Sequence, residues 1–140
     1  MDDVMKRFFE RPMPKATPVS KEFWEGINRH EFLIQKCIAC GQNIFYPRTH
    51  CTKCMSTDLK WIKSSGRGKI YSFTIVRQAL LPAFFSEVPY VLAVIELEEG
   101  PHLLTNIVST DIDKVKIGAN VVVVYDEIAP QVILPKFKLV

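Results

Sequence analysis

The sequence predicts a mainly β protein in which N-terminal helices precede a small cysteine-braced ribbon and a C-terminal five-stranded barrel. Three observations predict it. Cys37, Cys40, Cys51 and Cys54 form two Cys-x-x-Cys pairs within one short stretch. From Gly66 onward the chain is a succession of β-branched and aromatic runs. Helical spacing of apolar residues is found before the cysteines.

The elements follow in order. In VMKRFFE, Val4 and Phe8, and Met5 and Phe9, stand four apart and make a helical stripe. Pro12, Pro14 and Pro18 then stop any helix. Ser20 is placed to cap a second helix, SKEFWEGINRH, with Phe23, Trp24 and Ile27 on one side. EFLIQK leads into the first cysteine pair as a short strand, and LKWIKS leaves the second as another. GKIYSFTIVR, PYVLAVIELEE, HLLTNIVS, NVVVVYDEI and QVILPKFKLV then supply the barrel strands. Five strands, with TDIDKVKIG between the third and fourth, match the Greek-key barrel called the OB-fold. An immunoglobulin-like sandwich needs about seven. The expected boundaries are residues 1–32 (helical), 33–63 (ribbon) and 64–140 (barrel).

The cysteines allow disulfides, redox chemistry or a metal. A thioredoxin-like site wants one Cys-x-x-Cys beside a βαβ pattern, and none is visible. A cytoplasmic chain keeps its thiols reduced, which favours metal over disulfides. Two facing knuckles give a tetrahedral set of thiolates, the arrangement of structural zinc. Iron takes the same ligands. Gly41 follows the first pair, where a knuckle calls for a positive φ. His50 adjoins Cys51 but is superfluous once four thiolates are bound.

Composition narrows the class. The 140 residues carry a net charge of +3 and a pI near 8.7, short of the basic footprint of a dedicated DNA binder. VLAVIEL and VVVVY are too short to span a bilayer. No apolar leader is visible in MDDVMKRFFERP, so a soluble, cytoplasmic location with no membrane partner is expected.

With these motifs in view, the chain resembles a known family. FWEGINRHEFLIQKCIACGQNIFYPRTHCTKC, SGRGKIYSFTIV, VPYVLAVIELEEG and VKIGANVVVVY together are similar to the acyl-CoA-associated zinc-ribbon/OB-fold proteins of bacteria and archaea. The resemblance covers nearly the whole chain. It implies a rubredoxin-like ribbon before the barrel, and association with thiolases or hydroxymethylglutaryl-CoA synthases. It also implies an accessory role in holding CoA thioesters.

Site expectations follow from both readings. His30, His50 and His102 are scattered, and no nucleophile elbow, Walker loop or His-Glu-x-x-His is present, so no enzyme activity is expected. The acids Glu96, Glu98 and Glu99 read as a solvated edge. Arg48, Lys63, Arg67 and Lys69, with Lys60, gather near the ribbon–barrel junction, where CoA phosphates need positive charge. In RQALLPAFFSEVPY, Leu80, Leu81, Phe84 and Phe85 either cover an open barrel end or form an apolar patch. As a patch, Phe84 and Phe85 would face an acyl-pantetheine arm. Leu80 and Leu81, with Val4, Met5, Phe8 and Phe9, would dock a partner. On the first barrel strand Tyr71, Phe73 and Ile75 share the more apolar face and are expected inside. A nucleic-acid-binding module is the alternative function, since ribbons and OB barrels also serve that role.

Overall fold

The computed structural model describes residues 2–3 and 10–140. The stripe of Val4, Met5, Phe8 and Phe9 lies outside the described residues. Helix α1 spans Lys21–Asn28 and buries Phe23, Gly26 and Ile27, the three-and-four spacing of an amphipathic helix. It ends as a Schellman turn: the amides of His30 and Glu31 donate to the carbonyls of Ile27 and Gly26, with His30 left-handed at φ 59°. Ser20 does not cap the helix as expected. Its hydroxyl turns back and accepts the Thr17 amide at 2.9 Å. Gly26 lets α1 approach the first strand, since a Cβ there would stand 2.8 Å from Leu33 Cδ1.

Strands β1 (Leu33–Cys37), β2 (Asn43–Ile44) and β3 (Leu59–Lys63) form an antiparallel three-stranded sheet in the order β2-β1-β3. Strands β4 (Arg67–Val76), β5 (Tyr90–Leu97), β6 (His102–Val108), β7 (Asn120–Ala129) and β8 (Val132–Leu139) close a barrel in the order β4-β5-β6-β8-β7. The β6–β8 pair is parallel and others are antiparallel, the expected OB topology.

Ile70, Ala93, Ile95, Leu97, Leu103, Ile107, Val121 and Phe137 fill the barrel. A chain of aromatic contacts joins it to the ribbon. Phe32 meets Phe137 at 6.2 Å, Phe45 at 5.4 Å and Phe23 at 5.5 Å, mostly tilted or edge-on. Phe32 is 1% exposed and sits on the short lead into β1. The helix, the ribbon's strands and the barrel thus share one core, while the knuckles keep a small cluster of their own, Cys37, Ile44 and Cys51.

Hydrogen bonds reinforce the junction. The Glu99 carboxylate accepts from the Ser64 hydroxyl at 2.7 Å and the Ser65 amide at 2.9 Å. Its carbonyl accepts from Asn43 Nδ2 at 2.9 Å, and Glu98 accepts from the Ser65 hydroxyl at 2.9 Å. Glu99, half-buried, is a structural acceptor and not the solvated edge the sequence suggested, while Glu98 is exposed as expected and takes one surface hydrogen bond.

One expectation about β4 fails. Tyr71 is 57% exposed, while Ile70 is buried. The register against β5 shifts between Ile70 and Ser72, so a β-bulge flips the parity of the strand. Upstream of it Gly68 and Ile70 point inward; downstream, Phe73 and Ile75 turn toward the core. Gly68 is fixed by a close approach: a Cβ would fall 2.5 Å from the Glu96 carbonyl oxygen. Gly68→Ala must displace backbone, and a loss of about 1–3 kcal/mol in denaturant unfolding is expected.

Candidate functional site

The two knuckles bring all four cysteines together. Their Sγ atoms lie within 4.8 Å of one another, with Cys37–Cys54 at 3.6 Å and Cys40–Cys51 at 3.5 Å. None is in a disulfide. Thiolates about 2.3 Å from a tetrahedral centre stand about 3.8 Å apart, so the set fits a metal ion.

Each knuckle is built by the same backbone bonds. The Gly41 amide donates to the Cys37 carbonyl at 2.8 Å, and the Met55 amide to the Cys51 carbonyl at 3.0 Å. Returning bonds run from Cys37 to the Gln42 carbonyl and from Cys51 to the Ser56 carbonyl, both at 2.8 Å. Gly41 has φ 80°, as expected, and Met55 takes the equivalent place at φ 66°. A left-handed conformation costs a side-chain-bearing residue about 1–2 kcal/mol. Met55→Gly is therefore expected to raise stability by up to about 1 kcal/mol, seen as a higher unfolding midpoint with metal content unchanged.

Hydrogen bonds prepare Cys51 as a thiolate. The Cys54 amide foremost, then Lys53's, hold its thiol down to about 6 against the opposing effect of burial. The Ser56 amide acts in the same sense on Cys54, but proton sharing with Cys37, burial and the other two thiols outweigh it, and Cys54 is pushed up to about 12. The pair describes a shared proton that metal binding would displace.

A second feature had no sequence signal. The side chain of Gln35, buried on β1, pairs with the backbone of Arg48: Nε2 donates to the Arg48 carbonyl at 2.9 Å, and the Arg48 amide donates to Oε1 at 2.7 Å. This holds the loop of Phe45, Tyr46 and Pro47 across the barrel, where the Tyr46 hydroxyl accepts the Leu104 amide at 2.9 Å. Beneath the loop lies a cavity of about 460 Å³, walled chiefly by Phe23, Trp24, Phe32, Phe45, Leu103 and Leu134. It sits where β6 and β8 diverge, since their pairing covers only Ile107–Phe137 and Val108–Lys138.

The expected ligand residues are dispersed. Arg48, Lys63, Arg67 and Lys69 are all exposed. Arg67 and Lys69 share the outer face of β4 with Tyr71, which packs on His102 at 4.6 Å. Lys69 stands opposite Glu96 and borders a cavity that also holds Glu98, so this face is not uniformly basic. Phe84 lines a different cavity, of about 410 Å³, beside Tyr90 and Lys136. Arg11 reaches it from the N-terminal segment, paired with Glu87 at 3.0 Å and 5.2 Å from the Phe84 ring centre. The 78–89 loop is not core: Leu80 is 92% exposed and Phe85 58%, with Leu81 and Phe84 half-buried around a short Pro82–Phe84 turn. No helix among the described residues is long and apolar enough to cross a membrane.

Comparison with known proteins agrees with this architecture. Residues 24–60 match the ChsH2 rubredoxin-like zinc ribbon domain, and residues 61–126 the ChsH2 C-terminal OB-fold domain. A "DUF35 domain-containing scaffold protein" of Methanothermobacter thermautotrophicus is 35% identical over 75% of this chain and 80% of its own length. A "probable enoyl-CoA hydratase alpha subunit" of Thermomonospora curvata is 35% identical over 91% of this chain. The chain spans only 40% of that relative. The solved "Ltp2-ChsH2(DUF35) aldolase" contains a chain that this one matches with a TM-score of 0.81 and 34% identity, covering 90% of this chain and 98% of that one. The names of the hydratase and the aldolase overturn the expectation that the chain is an accessory subunit and not itself an enzyme, an expectation that rested on missing motifs. The motifs quoted from the sequence, the closed barrel, the four gathered thiols and these matches together place the chain in the DUF35 (ChsH2-type) family of zinc-ribbon/OB-fold proteins of acyl-CoA metabolism.

Proposed function

We propose that this chain is the zinc-ribbon/OB subunit of a cytoplasmic acyl-CoA enzyme assembly, docking a thiolase-like or hydroxymethylglutaryl-CoA synthase-like partner and holding the CoA thioester beside it. The carrying observation is the match to a chain of an aldolase assembly over 98% of that chain's length. The exposed Leu80 and Phe85, on a loop with no buried residue, supply an apolar docking surface. Arg67 and Lys69, reinforced by Arg48 and Lys63, supply cations for CoA phosphates, with Phe84 and Phe85 toward the pantetheine arm. The metal is zinc, and its task is to hold the knuckles in place.

Two measurements test this. Calorimetric titration with acetyl-CoA should show binding that Arg67→Glu or Lys69→Glu weakens about three- to tenfold, against no saturable binding of single-stranded oligonucleotide. Tight, salt-sensitive oligonucleotide binding without a CoA response would reverse the assignment. Co-expressed with a thiolase-like enzyme of the same organism, the parent should co-elute from a sizing column. Leu80→Asp with Phe85→Asp should separate the two while leaving the unfolding midpoint unchanged.

A further inference from the structure

We infer that the cavity between α1, the Phe45–Pro47 loop and the β6–β8 divergence is a binding site for a neutral, largely apolar molecule bearing one carbonyl group. The site is independent of the coenzyme A reading and uses none of the cations assigned to it.

Size and wall chemistry come first. A volume of about 460 Å³ falls within the range of small-molecule sites. Aromatic and aliphatic side chains from the helix, the ribbon and the barrel make most of its surface. Such walls favour burial of hydrocarbon.

The polar groups then specify the ligand. Thr105 lines the cavity and is 7% exposed, yet its Oγ1 has no hydrogen-bond partner among the described residues. A buried hydroxyl left unpaired costs about 1–3 kcal/mol, which a bound acceptor would recover. Asn106 beside it is already engaged, its Nδ2 donating to the Val91 carbonyl at 3.0 Å. The Tyr46 hydroxyl accepts the Leu104 amide and keeps its own proton to donate. Both hydroxyls thus have a proton to give. A ligand carbonyl takes it and brings no proton of its own to satisfy among apolar walls.

Charge excludes the rest. Lys136 is the one charged residue among the described walls, and its Nζ is held by Asp126. An anionic ligand would have to share that ammonium with Asp126 and bring a second negative charge beside it. A neutral ketone or ester enters without doing so.

The test uses 2-octanone as probe and the fluorescence of Trp24, which lines the cavity, in a Trp61→Phe background. Saturable quenching is expected in the parent. Thr105→Val keeps the shape and removes the hydroxyl, so 2-octanone binding should weaken about fivefold while n-octane binding does not. The variant's unfolding midpoint should equal or exceed the parent's, which separates loss of a ligand contact from loss of fold. Val19→Phe, filling the cavity from its rim, should abolish binding of both probes and leave acetyl-CoA titration unchanged. Absence of saturable quenching in the parent, an equal 2-octanone affinity in Thr105→Val, or binding that survives Val19→Phe would overturn the site.

Discussion

Cys51→Ser is expected to lose the bound metal and to unfold the knuckles selectively. The reason is the size of the knuckles' own core. Its buried cluster is Cys37, Ile44 and Cys51, with Leu59 packed against it. Two of those residues are the ligands themselves, so little apolar burial remains once the thiolates let go. A structural zinc site contributes about 10–16 kcal/mol of apparent binding energy at neutral pH in small metal-folded peptides. No three-stranded sheet of this size replaces that by packing. Metal analysis should fall from one equivalent to near none. Hydrogen exchange should show lost protection at the amides of Cys37, Gly41, Cys51 and Met55, which close the knuckles. The barrel amides of β4–β8 should remain protected. Acidification of the parent should act in the same sense, because thiolates must be deprotonated to bind and metal release follows their protonation. A Cys51→Ser protein with full metal content, or with knuckle amides still protected, would remove the structural role assigned to the site.

Phe32→Ala is expected to cost about 3–5 kcal/mol of stability, more than Gly68→Ala at the start of β4. Its ring is 1% exposed and touches the rings of Phe23, Phe45 and Phe137. Helix, ribbon and barrel therefore lose contact at once, and the facing rings cannot all close on the gap. Denaturant unfolding should show the lower midpoint. The transition should also split, with the ribbon melting before the barrel, because Phe32 is the only one of these rings that meets all three others in the described contacts. A single transition shifted by less than about 1 kcal/mol would show that the rings do not couple the parts.

The sequence revealed what local chemistry encodes. Barrel strands are legible because each is a run of β-branched and aromatic residues, and the metal site because its ligands come as two short repeats. The parity of β4 is not legible: the bulge between Ile70 and Ser72 answers to the register of β5, so Tyr71 reads as core and is exposed. Nor is the Glu98–Glu99 junction, because its donors, Ser64 and Ser65, lie more than thirty residues away. Gln35 escapes for a similar reason. A glutamine in a strand carries no hint that its carboxamide will stand in for a peptide unit toward Arg48. The cavity under Tyr46 is assembled from five separate segments, and Thr105 is silent within HLLTNIVS. The basic residues were legible as a cluster in sequence only; folding disperses them and leaves Arg67 and Lys69 on the outer face of β4, where Lys69 stands opposite Glu96.

Glu99 grips the serines that link β3 to β4 with its side chain and the ribbon's Asn43 with its main chain, which denies the connector the freedom of a hinge. Any enzyme that docks on the barrel's 78–89 loop meets a ribbon already oriented, so swivel of one module on the other requires this acid to release both grips together. A protein gauge of fixed angle results, and Glu99→Ala is where that angle would begin to drift.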